Sequence, residues 1–156
     1  MHLLQGQNGG MLGAMDDLPR VVVFFDAECM LCNRSVQWLM GQDKKGRLSF
    51  APLGGETATA LREAGVLTEE HMGGQSMVLA ERGEDDCWGV QMRSDAVIRA
   101  LQCAEGAPVR LAMLRMMPRF LREGGYRVVA KSRYVVFGKT ESCVIPTEET
   151  AKRVLP

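Results

Sequence analysis

Val21-Val22-Val23-Phe24-Phe25-Asp26-Ala27-Glu28-Cys29-Met30-Leu31-Cys32 is the stretch that decides the fold of this chain. Its first five residues are β-branched or aromatic, with no polar side chain before Asp26, the pattern of a strand buried on both faces. From Cys32 to Gln42 the period changes, and Val36, Leu39 and Met40 fall on one face of a helix. Two cysteines therefore sit at a strand-to-helix junction, separated by two residues. One helical turn brings their sulfurs within reach of each other. The helix N-terminus offers unpaired N–H groups and a partial positive charge, which favour thiolate at Cys29. A C-x-x-C in this setting reads as a redox motif.

Working outward, Gly41 and Gly46 help to end the helix and Leu48–Leu53 reads as a second strand. A helix joins the two strands, so they should run parallel with a right-handed crossover. Thr57–Ala64 follows as a helix stopped at Gly65. Ser76–Ala80 and Cys87–Met92, separated by the polar segment Glu81–Asp86, predict a β-hairpin. Ser94 reads as the cap of a helix over Asp95–Ala104. The order β-α-β-α-β-β-α is an α/β plan. It predicts a thioredoxin-like mixed four-stranded sheet flanked by helices. A helical C-terminal extension follows, over about 106–146. In it Pro108–Met117 is read as helical, Pro118 as a break, and Tyr126–Phe137 as a further helix ending at Gly138.

Composition narrows the function classes. A chain of 156 residues, 46% apolar and 24% charged, suits one globular domain with a sizeable core. Acidic and basic residues balance at 19 each, which leaves no electrostatic footprint for nucleic acid or an acidic membrane surface. No apolar run is long enough to span a bilayer. Residues 1–18 lack the basic start and apolar stretch of a secretory signal. They read as a flexible tail, or as lying upstream of a start at Met15. Residues 19–156 are expected to form the single domain. The five cysteines (Cys29, Cys32, Cys87, Cys103 and Cys143) are odd in number and irregular in spacing, which argues against a secreted disulfide scaffold. A reducing cytoplasm is the expected setting.

With these residues in view, the chain resembles the DCC family of thiol-disulfide oxidoreductases. The family takes its name from an Asp-x-x-Cys-x-x-Cys signature, matched by Asp26, Cys29 and Cys32. Phe25 before the motif, and Leu31, Asn33 and Val36 around and after its second cysteine, match as well. Ser94-Asp95-Ala96 stands where the family has Ser-Asp-Ala. Pro118, Leu121-Arg122, Tyr126, Ala130, Arg133-Tyr134, Phe137-Gly138-Lys139, Cys143 and Pro146 follow its C-terminal pattern. Ala27 replaces a common Gly and Ser132 a common Asn. Thioredoxin itself carries a cis-proline before its third core strand. Here the matching stretch, Gly74-Gln75-Ser76, has none, which puts thioredoxin-style docking of substrate backbones in question.

These readings assign Cys29 as the attacking thiol, expected to be exposed, and Cys32 as the more buried resolving thiol. Asp26 is either a general base for Cys32 or a cap accepting backbone N–H bonds from the loop that opens the helix. Cys143 is a third redox thiol or, as preferred here, a packing residue. Cys87 and Cys103 read as structural. Arg133, Tyr134 and Lys139 can recognise substrate, but such residues more often lock a helical tail in place. Met113, Met116 and Met117 read as core packing before adaptable surface. No phosphate-binding Gly-rich loop is present, so no organic cofactor is implied, and the isolated cysteines give no metal set. The expected partners are a disulfide-containing protein or small-thiol substrate and a thiol reductant, with neither nucleic acid nor membrane. The alternative is a non-catalytic binding or scaffold module whose cysteines are structural or hold metal.

Overall fold

A computed structural model describes residues 17–73, 76–104, 113–140 and 148–156 of the chain. Strand β1 (Val21–Phe25) leads into helix α1 (Met30–Gln42), strand β2 (Ser49–Pro52), helix α2 (Glu56–Glu63) and a short helix α3 (Glu69–Met72). Strands β3 (Val78–Arg82) and β4 (Trp88–Met92) and helix α4 (Arg93–Cys103) complete the predicted order. A 3₁₀ turn (Met113–Met116), the long helix α5 (Arg119–Phe137) and a short α6 (Glu148–Ala151) follow. The strand order is β2-β1-β3-β4, with β1 parallel to β2 and antiparallel to β3, and β3 antiparallel to β4. This is the mixed four-stranded sheet of a thioredoxin-like fold.

β1 is central, and its unbroken apolar run follows from that position. Val21, Val23 and Phe25 pack with Val36, Leu39, Phe50, Ala100 and Leu101 under α1 and α4. Val22 and Phe24 point the other way, to Ala51, Ala58, Leu61 and Leu67 beneath α2. A strand sandwiched between helical layers has no face left for polar residues. Asp26 is the first position beyond this double burial. The motif is thereby delivered to the C-terminal end of β1, where α1 begins.

Several details differ from expectation. α3 has only four residues, too few for a periodic signal. Ser94 is not a cap: α4 starts at Arg93, and the Ser94 hydroxyl donates to Glu123 Oε1 on α5 at 2.5 Å. Of the helix read over Pro108–Met117, residues 113–116 form a 3₁₀ turn and 108–112 lie outside the described residues. Pro118 does not break a helix but caps the start of α5, where its missing N–H costs nothing. The three methionines Met113, Met116 and Met117 are exposed rather than in the core. Residues 1–16, Gly74, Gln75 and Cys143 lie outside the described residues. Among the described residues, no helix is long and apolar enough to cross a membrane.

Candidate active site

Cys29 is the N-cap of α1, and its sulfur accepts the backbone N–H of Cys32 at 3.3 Å. This is the bond a serine or threonine cap would make, here made by a sulfur. The Cys32 side chain hydrogen-bonds back to that of Cys29. Burial, then this bond and the charge of Cys29, push the Cys32 thiol up to about 12 from its ordinary 9.0. Arg133 opposes the rise: its Nη1 lies 3.6 Å from Cys32 Sγ.

Asp26 joins the motif to α5. Its Oδ1 accepts the Glu28 N–H at 3.0 Å, so it bonds to the loop that opens the helix. Its Oδ2 accepts from Arg133 Nη2 at 2.9 Å and from the Tyr134 hydroxyl. Arg133 is only 3% exposed, and its charge is held in place by this carboxylate. Burial pulls its affinity for a proton down, yet Cys32, Tyr134, Cys29 and Asp26 together raise it above the ordinary value. Burial and the bond to Asp26 push the Tyr134 hydroxyl up. Two cations lie over the Tyr134 ring, Arg133 at 4.7 Å and Lys139 Nζ at 4.8 Å from its centroid. Asn33, buried behind the motif, donates to the Ala27 carbonyl at 2.8 Å and so braces the loop.

The burial order of the cysteines reverses the expectation. Cys29 is 0% exposed, whereas Cys32 is only partly buried. The cause is the end of α5. Gly138, at φ +80°, turns the chain back across the motif in a conformation glycine adopts without strain. Lys139 then pairs antiparallel with Cys29, the Thr140 N–H donates to the Glu28 carbonyl at 2.9 Å, and the Met30 N–H donates to the Gly138 carbonyl at 3.4 Å. No local window of sequence contains both partners of this pairing.

Asp26, Cys29 and Cys32 are thus brought together, with Arg133, Tyr134 and Lys139 added from the tail. The Arg133-Tyr134 pair was visible in sequence, but nothing local tied it to Asp26. Asp95 serves elsewhere: it anchors α5 by accepting from Arg122 at 2.8 Å and pairing with Arg119 at 3.2 Å. Cys103 is buried in α4, as expected of a packing thiol, while Cys87 is exposed before β4. Beside the site, a cleft of about 330 Å³ is lined by Ser76, Arg93, Tyr126, Arg127 and Lys131. A second, of about 630 Å³, reaches Asp26, Glu28 and Tyr134. Among the described residues, no group of three or more His, Cys, Asp or Glu is placed to hold a metal ion.

The model of the DCC1-like thiol-disulfide oxidoreductase family matches residues 23–139. The chain belongs to this family. The match runs from the middle of β1 to the strap residue Lys139, so it spans the sheet, the dithiol and the tail that covers it. An uncharacterized Bacillus subtilis protein, YuxK, is 34% identical over 143 residues, which cover 90% of this chain and 98% of its own. The Arabidopsis thaliana DCC family protein At1g52590, described as chloroplastic, is 28% identical over 125 residues, covering 80% of this chain and 69% of its own. No solved structure matches. The family carries a general thiol-disulfide function, and the Cys29–Cys32 pair is the dithiol at the site.

Proposed function

We propose that the protein is a disulfide reductase in which Cys29 attacks and Cys32 resolves. The observation that carries this reading is the division of labour between the sulfurs: Cys29 Sγ accepts the α1 N–H of Cys32, while Cys32 is held as a thiol. A Cys29 thiolate attacks one sulfur of a substrate disulfide. A mixed disulfide forms, and the other substrate sulfur leaves as thiolate and takes a proton. Cys32 then loses its proton and attacks Cys29 Sγ. This closes the Cys29–Cys32 disulfide and releases the second substrate thiol. A reduced thiol of the reducing cytoplasm resets the pair. Asp26 acts here as a positioning residue: it holds Arg133 against Cys32, and the guanidinium stabilises the thiolate that Cys32 must become.

The test is a redox titration of the Cys29–Cys32 pair in graded glutathione buffers, read by thiol trapping and mass spectrometry, with the other cysteines replaced by Ser. A reversible two-electron transition is expected. Failure of any Cys29–Cys32 disulfide to form would remove the mechanism. For the second step, Arg133→Met should lengthen the life of the mixed disulfide on Cys29 by about tenfold or more. An unchanged lifetime would strip Arg133 of this role.

A further inference from the structure

Cys29 cannot meet a substrate in the arrangement described, because Gly138–Thr140 lies over it. The way in which it is covered is informative. The two backbone bonds flank the Cys29–Lys139 pair and do not join those two residues directly, so they form a non-hydrogen-bonded antiparallel pair. In such pairs the side chains stand on one face with Cα atoms about 4.5 Å apart. That spacing falls within the range a disulfide bridges. A cysteine in the place of Lys139 would present its sulfur to Cys29.

We propose that Gly138–Thr140 is an internal stand-in for substrate, and that the site takes a polypeptide disulfide whose cysteine replaces Lys139 in this register. The inference rests on the exchange reading above. When the strap is displaced, the Met30 N–H and the Glu28 carbonyl lose their partners. A substrate restores both only if it has a carbonyl before its cysteine and an N–H after it, as an extended polypeptide does. A disulfide lacking these amides leaves both groups without a protein partner. The edge used is the loop before α1, not the segment before β3 where a cis-proline is absent. Attack on the bound cysteine joins its sulfur to Cys29 Sγ and expels its former partner as a thiolate, which takes a proton. Cys32 then displaces the substrate thiol, and a reduced low-molecular-weight thiol or dithiol protein resets the pair.

The register makes a directional test possible on the unmodified protein. The probes are the symmetrical disulfide of a blocked peptide, extended on both sides of its cysteine, and the same peptide N-methylated at either of two positions. Methylation of the residue after the cysteine removes the N–H that replaces that of Thr140, and should lower kcat/KM about tenfold. Methylation of the cysteine itself, whose N–H takes no part in the pairing, should leave it nearly unchanged. Cystine, which lacks both amides, should be poorer than the parent peptide. Equal rates for all four probes would overturn the inference while leaving the exchange mechanism intact. No exchange with any of them would instead overturn the reading on which it rests. As a second test, Lys139→Cys in a Cys32→Ser background should form a disulfide between Cys29 and the new thiol in oxidised glutathione. Its absence under conditions that oxidise the native Cys29–Cys32 pair would mean that the strap does not hold the substrate register.

Discussion

Cys29 and Cys32 sit one helical turn apart in different surroundings. The cap position gives Cys29 a backbone donor, whereas burial and the neighbouring sulfur keep Cys32 protonated. The second effect bears on stability. Because the Cys32 pKa is raised on folding, from 9.0 to about 12, the folded state prefers the thiol more strongly than the unfolded chain does. The contribution is complete below pH 9.0 and is lost as pH rises through about 12. Cys32 is only partly buried, so the loss is on the order of 1–3 kcal/mol. Urea melts of reduced protein between those pH values should show this loss, and Cys32→Ser should show less of it. Parallel pH profiles would mean that the sulfur environment differs from the one described. Asp26 is the other decisive residue. Asp26→Ala leaves the buried Arg133 guanidinium without its carboxylate, and should destabilise by about 2–3 kcal/mol in the same assay. The sequence placed Asp26 beside the cysteines and suggested a bond to the loop, which its Oδ1 makes. It did not reveal Arg133 as partner, because the two are 107 residues apart and an ion pair leaves no periodic trace.

At the scale of elements, α5 shows how far local pattern reaches. The sequence reading begins this helix at Tyr126, yet it starts at Arg119 and runs through Gly124 and Gly125. Two adjacent glycines cost about 2 kcal/mol of helix propensity, enough to hide the first half of the helix from any local reading. That half is held by contacts from α4: Ser94 to Glu123, and Asp95 to Arg119 and Arg122. The strands were easier to read, because β1 carries its double burial in its composition. A Cβ added at Gly124 meets nothing within 4 Å, so the missing propensity can be restored there. Gly124→Ala should raise stability by about 0.5–1 kcal/mol without changing the rate of thiol exchange. A chemical denaturation midpoint that falls would show that Gly124 is required for a reason other than space.

For the molecule as a whole, the question is whether the C-terminal extension is an appendage or part of the cooperative unit. Two long-range ties favour the second. Arg133 meets Asp26 at one end of the sheet. At the other, Arg153 donates to the Leu48 carbonyl at 2.8 Å and to the buried carboxylate of Asp43. Asp43 also accepts the Leu48 N–H at 2.8 Å, while the Phe50 N–H donates to the Arg153 carbonyl and the Leu155 N–H donates back to the Phe50 carbonyl. The last residues thus extend the edge of β2 and neutralise a charge that the core has enclosed. Removing either tie takes the opposite charge from a buried group, so the extension and the sheet should unfold together. Tryptophan fluorescence, from Trp38 in α1 and Trp88 in β4, and the far-ultraviolet helix signal, to which the long α5 contributes, should give one coincident urea transition. Arg153→Met should move both signals to lower urea by the same amount, equivalent to about 2 kcal/mol, because Asp43 stays buried without its cation. A helix signal lost ahead of the fluorescence in either protein would make the extension a separate unit.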